Sequence, residues 1–123
     1  MPRFVILRHE PPAGSRRRLH WDLMLQAGDA LRTWALAEPP AAGQLIAAEA
    51  LADHRTSYLD YEGPVSRGRG TVTRWDAGTF QWERDTPREI VFRLNGRVLS
   101  GQVMLTRADE DSPSWQFVLQ PAG

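Results

Sequence analysis

The chain has no cysteine, which removes disulfides and thiolate metal sites together and leaves histidine and carboxylates as the strong metal ligands. It has no lysine either. All 15 basic residues are arginine, and 15 acidic residues balance them to a formal net charge of zero. A neutral chain lacks the large positive field with which a protein coats nucleic acid non-specifically. Arginine-only usage fits a GC-rich genome, and it also fits a site that grips phosphate with a bidentate fork. Long apolar runs are missing as well. The opening run, Phe4 to Leu7, is too short for a signal peptide, and nothing approaches the roughly 20 residues of a membrane helix. Secretion and membrane insertion are therefore not expected, and a cytoplasmic location is. Repeats and low-complexity segments are absent too.

What is present is an ordinary globular composition: 123 residues, 41% hydrophobic and 24% charged. That is enough chain for one buried core and too little for two, so a single domain over 1–123 is expected. No feature signals an oligomer, and a monomer is expected.

The stretch with the most chemistry is Leu19-His20-Trp21-Asp22-Leu23-Met24-Leu25, whose alternation reads as a strand. Successive side chains of a strand point to opposite faces, so Trp21, Leu23 and Leu25 form the core face while His20, Asp22 and Met24 share the other. Residues two apart on a strand are separated by roughly 6.5 to 7 Å at Cα. An imidazole and a carboxylate so placed can converge on one ion at about 2.0 to 2.2 Å. A third ligand comes from the strand Arg3 to His9, which ends where Pro11, Pro12 and Gly14 force a loop that returns to His20. His9, His20 and Asp22 make a ligand set suited to a borderline divalent metal with open positions for water or substrate. Arg16-Arg17-Arg18 directly precede His20. Alone they read as a solvated loop, and beside a metal they read as a phosphate clamp.

Further along, Ala27-Gly28-Asp29 supplies a hairpin turn and Ala30 to Leu36 the returning strand. Gln44 to Leu51 is read as a strand, although its Ala and Glu favour a helix. Asp53 to Pro64 is polar and aromatic, too irregular for the core and rich in reactive side chains, which makes it a second functional candidate. Ser66-Arg67-Gly68-Arg69-Gly70 reads as a flexible basic loop, a weak signal by itself. Thr71 to Trp75 and Thr79 to Trp82 are expected to form a hairpin around Asp76-Ala77-Gly78. Glu89 to Leu94 and Arg97 to Thr106 form another, turned at Asn95-Gly96, and Ser114 to Gln120 closes the fold. Gly101 inside its strand suggests a bulge or bend. About eight strands with short turns and little helix favour an all-β fold, a compact antiparallel β-barrel. The five tryptophans are expected mainly in its core, not as base-stacking platforms.

Taken together, several segments resemble the 3′-phosphoesterase domain of bacterial DNA ligase D, which also exists as small stand-alone proteins. They are Phe4 to His9, Arg18-Leu-His-Trp-Asp22, Thr33-Trp-Ala35, Asp53-His54 with Tyr58 and Tyr61-Glu-Gly63, Gly70-Thr-Val72, Trp75-Asp76 with Gly78-Thr79, Leu99 with Gly101, and Trp115. The resemblance spans nearly the whole chain. It implies a compact β-barrel, a metal, typically Mn²⁺ with other divalent ions as substitutes, held by His9, His20 and Asp22, and a phosphate-site histidine and tyrosine at His54 and Tyr58. It implies an enzyme that removes a 3′-phosphate or a terminal 3′-ribonucleotide from DNA primer-template ends during repair, alongside a separate ligase or polymerase of end joining. The chain departs from the family at Met24, where an arginine aimed at the phosphate is implied, at Ala52, which replaces a carboxylate, and at Ile46, which replaces an arginine. The longer loop carrying Arg16, Arg17 and Arg18 is the expected replacement for the missing grip. The alternative is a non-catalytic, metal-containing module that binds phosphorylated DNA ends or a repair partner.

Overall fold

The computed structural model describes residues 1–122. Nine strands run in chain order: β1 Arg3–Glu10, β2 His20–Ala27, β3 Ala30–Leu36, β4 Ile46–Arg55, β5 Gly63–Pro64, β6 Thr71–Asp85, β7 Glu89–Gly96, β8 Ser100–Thr106 and β9 Ser114–Pro121. Eight of them pair in the order β1-β2-β3-β4-β9-β8-β7-β6, and β6 returns to β1, so the antiparallel sheet closes into a barrel without a free edge. The short β5 lies outside this ring, paired to β6. Among the described residues the helix content is one 3-10 turn, Thr56–Asp60. The all-β barrel expected from the strand count is the observed fold.

The barrel interior is filled by alternate residues of every long strand, from Phe4 and Ile6 through Leu23 and Leu25 to Phe117 and Leu119. Trp34 and Trp115 are buried there, while Trp21, Trp75 and Trp82 pack against it partly exposed. A second apolar layer lies on the outside of β1 and β2. It joins Val5, Leu7, Met24, Leu31 and Val72 to Leu59 of the 3-10 turn and Val65 of the segment that follows. Strand β1 is thus buried on both faces, which is why Phe4 to Leu7 is an unbroken apolar run instead of an alternation.

The turn after β2 matches expectation: Ala27 pairs with Ala30, and Gly28 at φ 64° holds the first central position of the two-residue loop. Gln44 to Leu51 does contain a strand, β4, which starts at Ile46 and continues past His54 to Arg55. Two expected turns are corrected. Asp76-Ala77-Gly78 makes no hairpin, because β6 runs unbroken through it, pairing first with β1 and then with β7. Asn95 and Gly96 complete β7, and the reversal falls at Arg97-Val98, closed by the Gly96 N–H donating to the Leu99 carbonyl at 2.8 Å. One side chain explains both. The carboxylate of Asp76, 2% exposed, accepts from the backbone N–H groups of Arg97, Val98 and Leu99 at 2.9 to 3.0 Å, so it anchors the neighbouring turn instead of making its own. Gly78 and Gly96 serve close approach there. A Cβ on Gly78 would lie 2.1 Å from the Asn95 carbonyl oxygen, and one on Gly96 would lie 2.5 Å from Asp76 Oδ2. Gly101 likewise brings β8 against Gln120 with its pairings in continuous register, so it marks a close contact and not a bulge.

Candidate functional site

The register of β1 against β2 builds the site. His9 lies opposite His20 and Leu7 opposite Asp22, and all four point to the outer face, so both imidazoles and the carboxylate meet at the mouth of the strand pair. One ligand atom from each of His9, His20 and Asp22 lies within 4.8 Å of the other two. His9 Nδ1 is 2.9 Å from Asp22 Oδ2, and its Nε2 donates to the Arg69 carbonyl at 2.7 Å. His20 Nδ1 donates to the Arg18 carbonyl at 2.9 Å, which leaves Nε2 facing Asp22 Oδ1 at 3.2 Å. Neither of those last two atoms has a hydrogen bond of good geometry, although both are buried.

Burial would push the Asp22 carboxyl upward. The His20 and His9 imidazoles facing its two oxygens outweigh that and hold it at about 2. The hydrogen bond to Asp22 raises His9 above its ordinary 6.5, against the desolvation that would lower it. Two orphaned buried atoms, an ionised carboxylate and two imidazoles with their remote nitrogens already satisfied are what a divalent cation needs, so the residues fit a metal.

A cavity of about 340 Å³ opens over the trio. Its lining includes His54 and Tyr58, whose rings meet edge to face at 5.6 Å. His54 Nδ1 donates to the Ala52 carbonyl at 2.9 Å, which directs Nε2 away from its own strand. Of the arginine triplet only Arg17 lines the cavity. Arg18 serves through its carbonyl, and the side chain of Arg16 is not brought in. Met24 and Val65 give the cavity an apolar floor, with Met24 only 1% exposed within the outer layer. Asp53 is exposed, and Asp60 pairs with Arg3 at 2.7 Å, so neither carboxylate joins the trio. Sequence reasoning missed Arg69 as a lining residue. Its signal was the placement of one arginine between Gly68 and Gly70, where backbone can turn sharply toward a pocket.

The barrel and its outer-face pocket define a protein with a metal-competent cluster beside a histidine, a tyrosine and two arginines. The chain belongs to the DNA ligase D 3′-phosphoesterase domain family, whose model matches residues 13–107. That span takes in His20, Asp22, His54 and Tyr58 and begins after His9, which the pairing of β1 with β2 brings to the same place. The chain is also 30% identical, over an alignment 131 positions long, to the multifunctional non-homologous end joining protein LigD of Pseudomonas aeruginosa. That alignment covers 98% of the chain, which spans 15% of the relative's length.

Proposed function

We propose that this protein is a metal-dependent 3′-end-healing phosphoesterase that removes a 3′-phosphate or a terminal 3′-ribonucleotide from DNA ends in repair. The observation that carries the reading is the convergence, in one pocket of a barrel of this family, of His9, His20 and Asp22 with His54, Tyr58 and Arg17. His9, His20 and Asp22 would hold the ion, with Mn²⁺ as the proposed metal. When bound, it supplies a Lewis acid that neutralises charge on a non-bridging phosphate oxygen. Arg17 adds charge-assisted hydrogen bonds to the same group. Tyr58 donates its hydroxyl to the phosphate. A water adds to phosphorus and gives its proton to solvent, while His54 hands a proton to the oxygen that leaves as its bond to phosphorus breaks. The partners proposed are primer-template 3′ ends and a separate ligase or polymerase that uses the healed end.

Incubating a 3′-phosphorylated primer-template with the protein and Mn²⁺ tests the reading. The expected result is conversion to a 3′-hydroxyl end, seen as a mobility shift, and unchanged mobility would sink it. The burial of Met24 in the apolar floor favours a second reading, since the central strand presents no cation to the phosphate. In that reading the protein is a non-catalytic, metal-containing module that binds phosphorylated ends or a repair partner, and the same substrate would be bound but left unconverted.

A further inference from the structure

His9 is held from outside the metal cluster. A carbonyl oxygen only accepts, so the 2.7 Å contact between His9 Nε2 and the Arg69 carbonyl requires Nε2 to carry the hydrogen and leaves Nδ1 toward Asp22. The atom that makes this choice belongs to the backbone of the 66–70 loop, and that loop is placed by glycine. Gly70 has φ 96°, and a Cβ there would lie 2.1 Å from the Glu10 carbonyl oxygen and 3.0 Å from the Pro11 Cα. Both neighbours are backbone, so no rotation of a side chain would relieve the clash. On the other side, the Gly70 carbonyl accepts from Val65 N–H at 2.8 Å, and the Arg69 guanidinium folds back onto the Ser66 carbonyl and hydroxyl at 2.9 and 3.1 Å. Arg67 at φ 63° and Gly68 at φ 65° complete the sharp reversal. His20 is held independently, by the Arg18 carbonyl in another loop.

We propose that Gly70 is a positioning residue: it seats the 66–70 loop against the end of β1 so that the Arg69 carbonyl fixes which nitrogen of His9 faces the metal cluster. The inference rests on reading His9, His20 and Asp22 as ligands. Outer-sphere partners of ligating histidines set ring orientation, and their loss typically costs roughly 10- to 100-fold in metal affinity.

The test is Gly70→Ala in the full chain, with two readouts at pH 8. Calorimetric titration with Mn²⁺ is expected to show affinity weakened by roughly 10- to 100-fold. In the metal-free protein, ¹⁵N spectra of the imidazole rings are expected to show a protonated Nε2 for His9 in the parent. In the variant that signal should be lost while the His20 Nδ1–H signal stays. A merely structural loss would disturb both rings alike. Should Gly70→Ala fold poorly, Gly68→Ala takes its place, since its added methyl meets nothing within 4 Å and only its φ of 65° is strained. The same changes, smaller in size, are then expected. A folded variant with parental Mn²⁺ affinity and an unchanged His9 ring would overturn the positioning role. A parent that shows the Nε2–H signal but binds no Mn²⁺ would overturn the ligand reading and, with it, the role built on that reading.

Discussion

Asp22 carries the cluster electrostatically. Removing its charge leaves two imidazoles with no anion between them, so Asp22→Asn is expected to abolish detectable Mn²⁺ binding in a calorimetric titration while the barrel still folds. The pH dependence follows from the two shifts. Asp22 is depressed from 3.8 to about 2, so its stabilising contribution is present above about 4 and fades as the pH falls toward 2. His9 is raised above 6.5, so its contribution is present below 6.5 and fades as the pH rises through the higher folded value. The His9–Asp22 pair therefore favours the metal-free fold most between about pH 4 and 6.5, while metal binding has to displace the proton they share. The rise in melting temperature on adding Mn²⁺ should accordingly be small at pH 6 and larger at pH 8. Equal rises at both would contradict the coupling. The arginine triplet separates at this scale too. Arg17→Ala is expected to cut turnover on a 3′-phosphate end by roughly ten- to a hundredfold, the size of one charge-assisted hydrogen bond, and Arg16→Ala to leave it nearly unchanged. The triplet suggests a clamp, but which member lines the pocket depends on how the loop folds back, and no spacing rule encodes that.

Among the elements, β2 was the most legible, because its alternation names a core face and a chemical face at once. The chemical face is buried as well, and nothing local predicts this. Leu59 and Val65, more than thirty residues downstream, belong to the same buried cluster as Met24. The turns expected at Asp76-Ala77-Gly78, inside β6, and at Asn95-Gly96, which end β7, misled for a related reason. Local rules assign Asp-Ala-Gly and Asn-Gly to reversals, but the Asp76 carboxylate satisfies three N–H groups of a loop more than twenty residues away, and its burial outweighs local turn preference. Asp76→Ala would leave the Val98 and Leu99 N–H groups without their acceptor, Leu99 in a buried position, while Arg97 N–H keeps the Ala77 carbonyl at 3.2 Å. A loss of about 2 to 4 kcal/mol in urea unfolding is expected, with Mn²⁺ affinity retained by the folded fraction because Asp76 lies outside the cavity lining. A loss below about 0.5 kcal/mol, the range of an ordinary surface substitution, would mean the turn holds without it.

Across the whole molecule, the strand count foretold a barrel, while its closure by β6 onto β1 is a long-range pairing that periodicity does not reveal. That closure has a functional consequence. With β1 flanked by β2 and β6, the pocket sits on the outer wall of the barrel under two loops, each with an arginine at the cavity: Arg17 after β1 and Arg69 before β6. Charge at the site is therefore concentrated on a chain whose formal net charge is zero. Such a protein should grip a DNA end through a few phosphates near the pocket and leave the duplex beyond it largely uncontacted. Each phosphate neutralised steepens the log-log dependence of affinity on salt by roughly 0.9. Two to four contacts predict a slope between about −2 and −4. Fluorescence anisotropy of a labelled 3′-phosphorylated primer-template, titrated at several salt concentrations from about 50 to 200 mM, measures it. A slope steeper than about −5 would require a wider basic footprint than the pocket arginines supply, and end recognition would then give way to binding along the duplex.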